Sequence, residues 1–110
     1  MKKLSEYAQE VLRARGDPNT MSDLQVELSV VYASMTEEYQ YIKVRKAAFW
    51  QKKFEGAKPL SDTHLEMMWR GTQDGVKEIQ IKYTLNGIDK LISSIKSAIV
   101  VDSFNARNTL

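Results

Sequence analysis

At 110 residues, 43% hydrophobic and 27% charged, the chain has room for one domain with a modest core and the composition of an ordinary globular protein. The absence of cysteine excludes a disulfide scaffold and thiolate chemistry, and the single histidine, His64, excludes a multi-histidine metal site within one chain. The net charge of +2 says little about partners, but it is unevenly spread. Residues 1–42 carry four basic and seven acidic side chains (−3), residues 43–53 five basic and none acidic (+5), and residues 54–110 seven of each (0).

The first predicted element is a short amphipathic helix over residues 3–15, with Leu4, Tyr7, Val11 and Leu12 turned inward. Gly16 stops it, and Gly16-Asp17-Pro18-Asn19-Thr20 reads as a turn cluster. MKKLSEYAQE is interrupted by Ser5, Glu6, Gln9 and Glu10 and lacks the apolar core of a signal peptide. No apolar run reaches the roughly 20 residues that span a bilayer. A cytoplasmic protein with no membrane partner is the expectation.

A long helix is predicted over 22–54, capped by Ser22, with Asp23 favourable near its positive end. Leu24 to Phe54 contains neither Pro nor Gly. Leu24, Leu28, Val31, Tyr32, Met35, Tyr39, Ile42, Phe49 and Trp50 share an arc roughly 100° wide, the width of a helix face packed on a core. A second patch, Val26, Val30, Ala33, Tyr41, Val44 and Ala48, calls for another neighbour. Lys46 and Lys53 fall inside the main stripe near its end. There, lysines snorkelling past the edge of the core are expected, because a buried unpaired ammonium is costly.

Glu55-Gly56-Ala57-Lys58-Pro59 ends the long helix, and a second one is predicted over 61–101, where Thr63 and Glu66 have capping-box spacing. His64 is expected to be an exposed residue of its first turn. Leu65, Met68, Trp69, Val76, Ile79 and Tyr83 form one stripe; Ile81, Leu85, Ile88, Leu91, Ile92, Ile95 and Ile99 form another, roughly 140° around the cylinder. A straight helix cannot turn both sets to one neighbour, so a kink is expected near Asn86-Gly87, residues 86–87. Residues 102–110 read as a polar, frayed tail. The fold class is thus all-α: a long antiparallel helical hairpin with a short N-terminal helix. A competing reading comes from residues 24–30 and 79–85, which alternate with period two and could pair as strands.

Chemistry-bearing motifs are few. There is no Gly-rich phosphate loop, no G-x-S-x-G, no H-E-x-x-H and no EF-hand pattern. Glu37 and Glu38 are adjacent on a helix and so do not face each other, and Asp62 and Glu66 suit a helix N-terminus. No catalytic residue, cofactor, metal or small-molecule substrate is expected. Trp69-Arg70-Gly71 resembles the tripeptide of the WXG family of small helical hairpins, in which it occupies the turn between two helices. Here it falls several residues inside a predicted helix, the family's C-terminal aromatic/acidic signal is not evident, and no function is carried over.

The sharpest functional feature is the basic-aromatic segment Lys43, Arg45, Lys46, Phe49, Trp50, Lys52 and Lys53. Cations that reach phosphates beside aromatics that stack on bases describe single-stranded nucleic-acid binding. The same residues describe an acidic-partner dock, or the solvated end of a hairpin. A lone hairpin leaves apolar surface uncovered, so a homo-oligomer completing a helical bundle is expected, with Val26, Val30, Ile81, Leu85, Ile88, Ile92, Ile95 and Ile99 at its interface. Two functions follow: a non-enzymatic oligomeric interaction module of adaptor or inhibitor type with a protein partner, or a nucleic-acid-binding accessory protein using residues 43–53.

Overall fold

The structure, a computed structural model, describes the backbone of residues 2–54 and 60–108 and the side chains of residues 2–53 and 60–101. The chain is all-α. Helices α1 (Leu4–Ala14), α2 (Pro18–Phe54), α3 (Asp62–Arg70) and α4 (Gln73–Asn108) follow in order, and the two long ones, α2 and α4, pack as an antiparallel hairpin. Residues 24–30 and 79–85 are both helical, and no strand occurs among the described residues. The unbroken run from Leu24 onward decides this, because Leu24, Leu28, Met35 and Ile42, spaced four, seven and seven residues apart, are all buried, whereas a strand would turn Leu28 and Met35 to opposite faces.

Asp17, read as part of a turn, starts α2. Its carboxylate accepts from the Thr20 amide (3.3 Å) and the Thr20 hydroxyl (2.7 Å). Pro18 then takes the first helical position, where its missing N–H costs nothing. The helix therefore begins four residues before Ser22. Ser61, not Thr63, caps α3 by accepting from the His64 amide at 3.2 Å, and His64 is exposed in the first turn as expected. The segment 55–59, expected to end α2, lies outside the described residues. At the other end α4 continues to Asn108, so the backbone of residues 102–108 is helical rather than frayed.

The break in the second long element falls at Gly71-Thr72, not at Asn86-Gly87. Thr72 donates its hydroxyl to the Trp69 carbonyl (2.6 Å) and accepts from the Gly75 amide (3.0 Å), closing α3 and capping α4 at once. Gly75 permits the junction, since a Cβ there would lie 1.9 Å from the Trp69 carbonyl oxygen. Trp69-Arg70-Gly71 thus ends a helix instead of lying inside one. Gly87, mid-helix, serves a different purpose: a Cβ on it would meet Leu4 Cδ2 at 2.3 Å, so its lack of a side chain lets α1 pack closely on α4.

The chain forms two compact units. In the first, residues 1–34 and 84–110, α1 with the start of α2 and the end of α4 buries Tyr7, Ala14, Met21, Leu24, Leu28, Ile88 and Ile95. Leu12, expected inward, is exposed, while Leu4 and Val11 are half-buried. In the second, residues 35–83, the end of α2 with α3 and the start of α4 buries Met35, Ile42, Leu65, Trp69 and Ile81. The break at 71–72 resolves the conflict between the two stripes. Leu65 and Trp69 belong to α3, whereas α4 turns Ile81, Ile88 and Ile95 inward and leaves Val76, Ile79 and Tyr83 exposed.

Candidate interaction surfaces

The basic-aromatic segment lies at the end of α2, within the unit formed by residues 35–83. Its three leading cations meet carboxylates of α3 and α4. Arg45 makes a two-pronged bond to Asp74, Nε to Oδ2 at 2.8 Å and Nη2 to Oδ1 at 3.1 Å. Lys46 donates to Glu78 at 3.2 Å and to Glu66 at 3.3 Å. Lys43 lies 3.9 Å from the other oxygen of Glu78, too far to hydrogen-bond it, and Lys77 of α4 reaches back to Glu38 at 2.6 Å. An isolated run of five positive charges along the sequence is, in the fold, largely answered by Glu66, Asp74 and Glu78.

Lys46 did not snorkel clear of the core. Its side chain is 19% exposed, between two carboxylates and over the face of Trp50 (5.4 Å to the ring centroid). Burial by itself lowers the pKa of such an ammonium, but the hydrogen bonds it donates to Glu78 and Glu66 together outweigh it and hold the pKa above the usual lysine value. The Arg45 hydrogen bond holds the Asp74 carboxyl below the ordinary carboxylate range. Glu78 is nearly buried, and its Oε2 meets no hydrogen-bond donor among the described residues.

The aromatics are similarly engaged. Phe49 packs against buried Trp69 with ring centroids 5.5 Å apart, and against Trp50 at 5.9 Å. The Trp69 indole nitrogen meets no partner among the described residues. Lys53 sits 5.7 Å from the Phe49 ring. Half-buried Trp50 borders an open hollow with Asp62, Thr63, Glu66, Met67 and Arg70, so two carboxylates stand beside the ring on which a base would stack. Of the seven residues singled out, Lys52 alone combines full exposure with no ion pair or ring contact among the described residues. Charge counting along the sequence located the cations. It missed Glu66, Asp74 and Glu78, whose four-residue spacing from 74 to 78 was the available signal.

A different surface emerges on the outward side of α2. Val26, Val30, Tyr41 and Val44 are 64, 64, 59 and 68% exposed, and Ala33, Glu37 and Ala48 are exposed as well. The Tyr41 hydroxyl donates to Glu37 at 3.4 Å. The interface expected from the sequence therefore divides. Val26 and Val30 are outward, but Ile81, Ile88 and Ile95 are core residues of a single chain, with Leu85, Ile92 and Ile99 half-buried. Their partner is intramolecular, because α1 and α2 cover the α4 stripe once the helix breaks at 71–72.

No group of three or more metal-ligating side chains occurs among the described residues, and no helix there is long and apolar enough to cross a membrane. Compared with models of protein families, with curated proteins and with solved structures, the chain matches none.

Proposed function

We propose that the protein is a non-enzymatic helical interaction module, of adaptor or inhibitor type, that works as an oligomer and engages protein through the apolar outward faces of its long helices. The observation that supports this reading most directly is the row of exposed valines and tyrosine on α2. It lies on a helix whose opposite face already fills the core, so its apolar character serves nothing inside the chain. Val76, Ile79 and Tyr83 add a similar exposed set on α4.

The nucleic-acid reading draws on Lys52 and Lys53, which form no ion pair among the described residues. Against it stands the engagement of Arg45 and Lys46 by carboxylates, since a cation already paired releases fewer counterions on meeting phosphate. Fluorescence anisotropy of labelled single- and double-stranded oligonucleotides separates the two. The interaction reading expects no saturable binding at low salt. Saturable binding that weakens steeply with salt and disappears in Lys52→Glu with Lys53→Glu would replace it with the nucleic-acid reading.

A further inference from the structure

We infer that the outward face of α2 pairs with the same face of a second copy of this chain, antiparallel and two-fold about Glu37; this rests on the interaction reading above and names the partner that the surface takes. The stripe Val26, Val30, Ala33, Glu37, Tyr41, Val44, Ala48 advances by four, three, four, four, three and four residues. That is an eleven-residue repeat, whose period of about 3.67 residues per turn stays closely aligned along a nearly straight helix. It belongs to one uninterrupted helix and extends over roughly 33 Å.

The spacing also reads the same in both directions from Glu37. Two copies laid antiparallel with Glu37 at the axis set Val26 opposite Ala48, Val30 opposite Val44 and Ala33 opposite Tyr41. Small thus meets large at the inner and outer pairs. A parallel pairing would set Tyr41 on Tyr41 and Ala33 on Ala33, crowding one level and emptying the other.

Charge points the same way. Along one flank of the stripe the helix carries Asp23 and Glu27 near its start and Arg45 and Lys52 near its end. In an antiparallel two-fold pair, like flanks face one another, which brings Asp23 to the partner copy's Lys52; Glu27 and Arg45 already pair within the chain, with Lys2 and Asp74. The other flank presents Ser22, Ser29, Gln40 and Gln51, which are uncharged. Asp23 and Lys52 are both exposed and form no ion pair among the described residues. The single discord is Glu37 facing its own copy at the axis.

Sedimentation velocity on the full chain and its variants provides the test. The wild type is expected to dimerise at micromolar concentration, with Asp23→Lys or Lys52→Asp each weakening the dimer by about tenfold, since each reversal spoils two symmetry-related pairs. The double variant regains the lost affinity. Asp23 and Lys52 are 29 residues apart on one helix, roughly 43 Å, so recovery can only be intermolecular. Glu37→Leu tightens the dimer. In a chain without cysteine, Val30→Cys mixed with Val44→Cys forms a disulfide between the two variants, and neither forms one alone. A monomer at about 100 μM, a double variant no better than the singles, or disulfides within Val30→Cys alone would each overturn the inference. If the dimer forms as described but no other protein crosslinks to it in lysate, the adaptor reading fails and the pairing stands.

Discussion

Lys46 shows how a residue that looks misplaced in the sequence can be central in the fold. Its position in the apolar stripe was legible; its partners were not, because Glu66 and Glu78 reach it only through the register set by the junction at 71–72. Removing one member of a buried pair leaves the other uncompensated. Lys46→Met is therefore expected to cost about 2–3 kcal/mol, less than for a fully buried pair because some solvent reaches both groups. Lys46→Met combined with Glu78→Met should cost less than the single change; urea denaturation of the three proteins checks this. Two other carboxyls confer acid sensitivity. Asp17, bonded by the Thr20 hydroxyl, and Asp74, bonded by Arg45, both have folded-state pKa values below the ordinary one of about 3.9. Their contribution is present above that value and is lost as pH falls through the lower folded-state values. The urea midpoint should hold from neutral pH to about pH 5 and drop towards pH 3, with a smaller drop in Asp74→Asn.

At the level of elements, apolar spacing outlined the long helices, but α2 starts four residues earlier and α4 runs seven residues further than expected, and the break in the second long element falls 15 residues before the expected kink. Both Asn86-Gly87 and Gly71-Thr72 have glycine as a helix breaker. What separates them is tertiary: Gly87 is consumed by the approach of Leu4, whereas Thr72 caps one helix and closes another. Neither interaction leaves a mark in the spacing of apolar residues. In an open helix Gly→Ala gains about 1 kcal/mol. At Gly75 the new methyl would strike the Trp69 carbonyl, a backbone atom that cannot swing away. Gly75→Ala is expected to destabilise by about 2 kcal/mol instead, measurable as a lowered thermal midpoint.

For the whole molecule, the hairpin was readable because two proline-free stretches of similar length, 22–54 and 61–101, left few other arrangements. Its interior was less so. Ile81, Ile88 and Ile95, expected at an oligomer interface because a lone hairpin would leave them uncovered, lie in the core of the single chain, since the break at 71–72 separates their stripe from that of Leu65 and Trp69. The surface assignments changed accordingly: five cations in eleven residues suggested an open basic patch, while the fold sets three acidic side chains from elsewhere in the chain against them. Charge runs along the sequence are poor guides to surface potential where helices from distant segments return alongside.

The placement of the two tryptophans has an optical consequence. Trp50 and Trp69 both lie in the unit of residues 35–83, the first half-buried, the second enclosed beside Phe49, while the other unit contains no tryptophan. Emission excited in the indole band therefore monitors one unit, and far-ultraviolet circular dichroism monitors both. Recorded on the same sample through a urea titration, coincident curves would mark a single cooperative transition, and an emission change displaced from the dichroism would assign the weaker half of the chain without any added label.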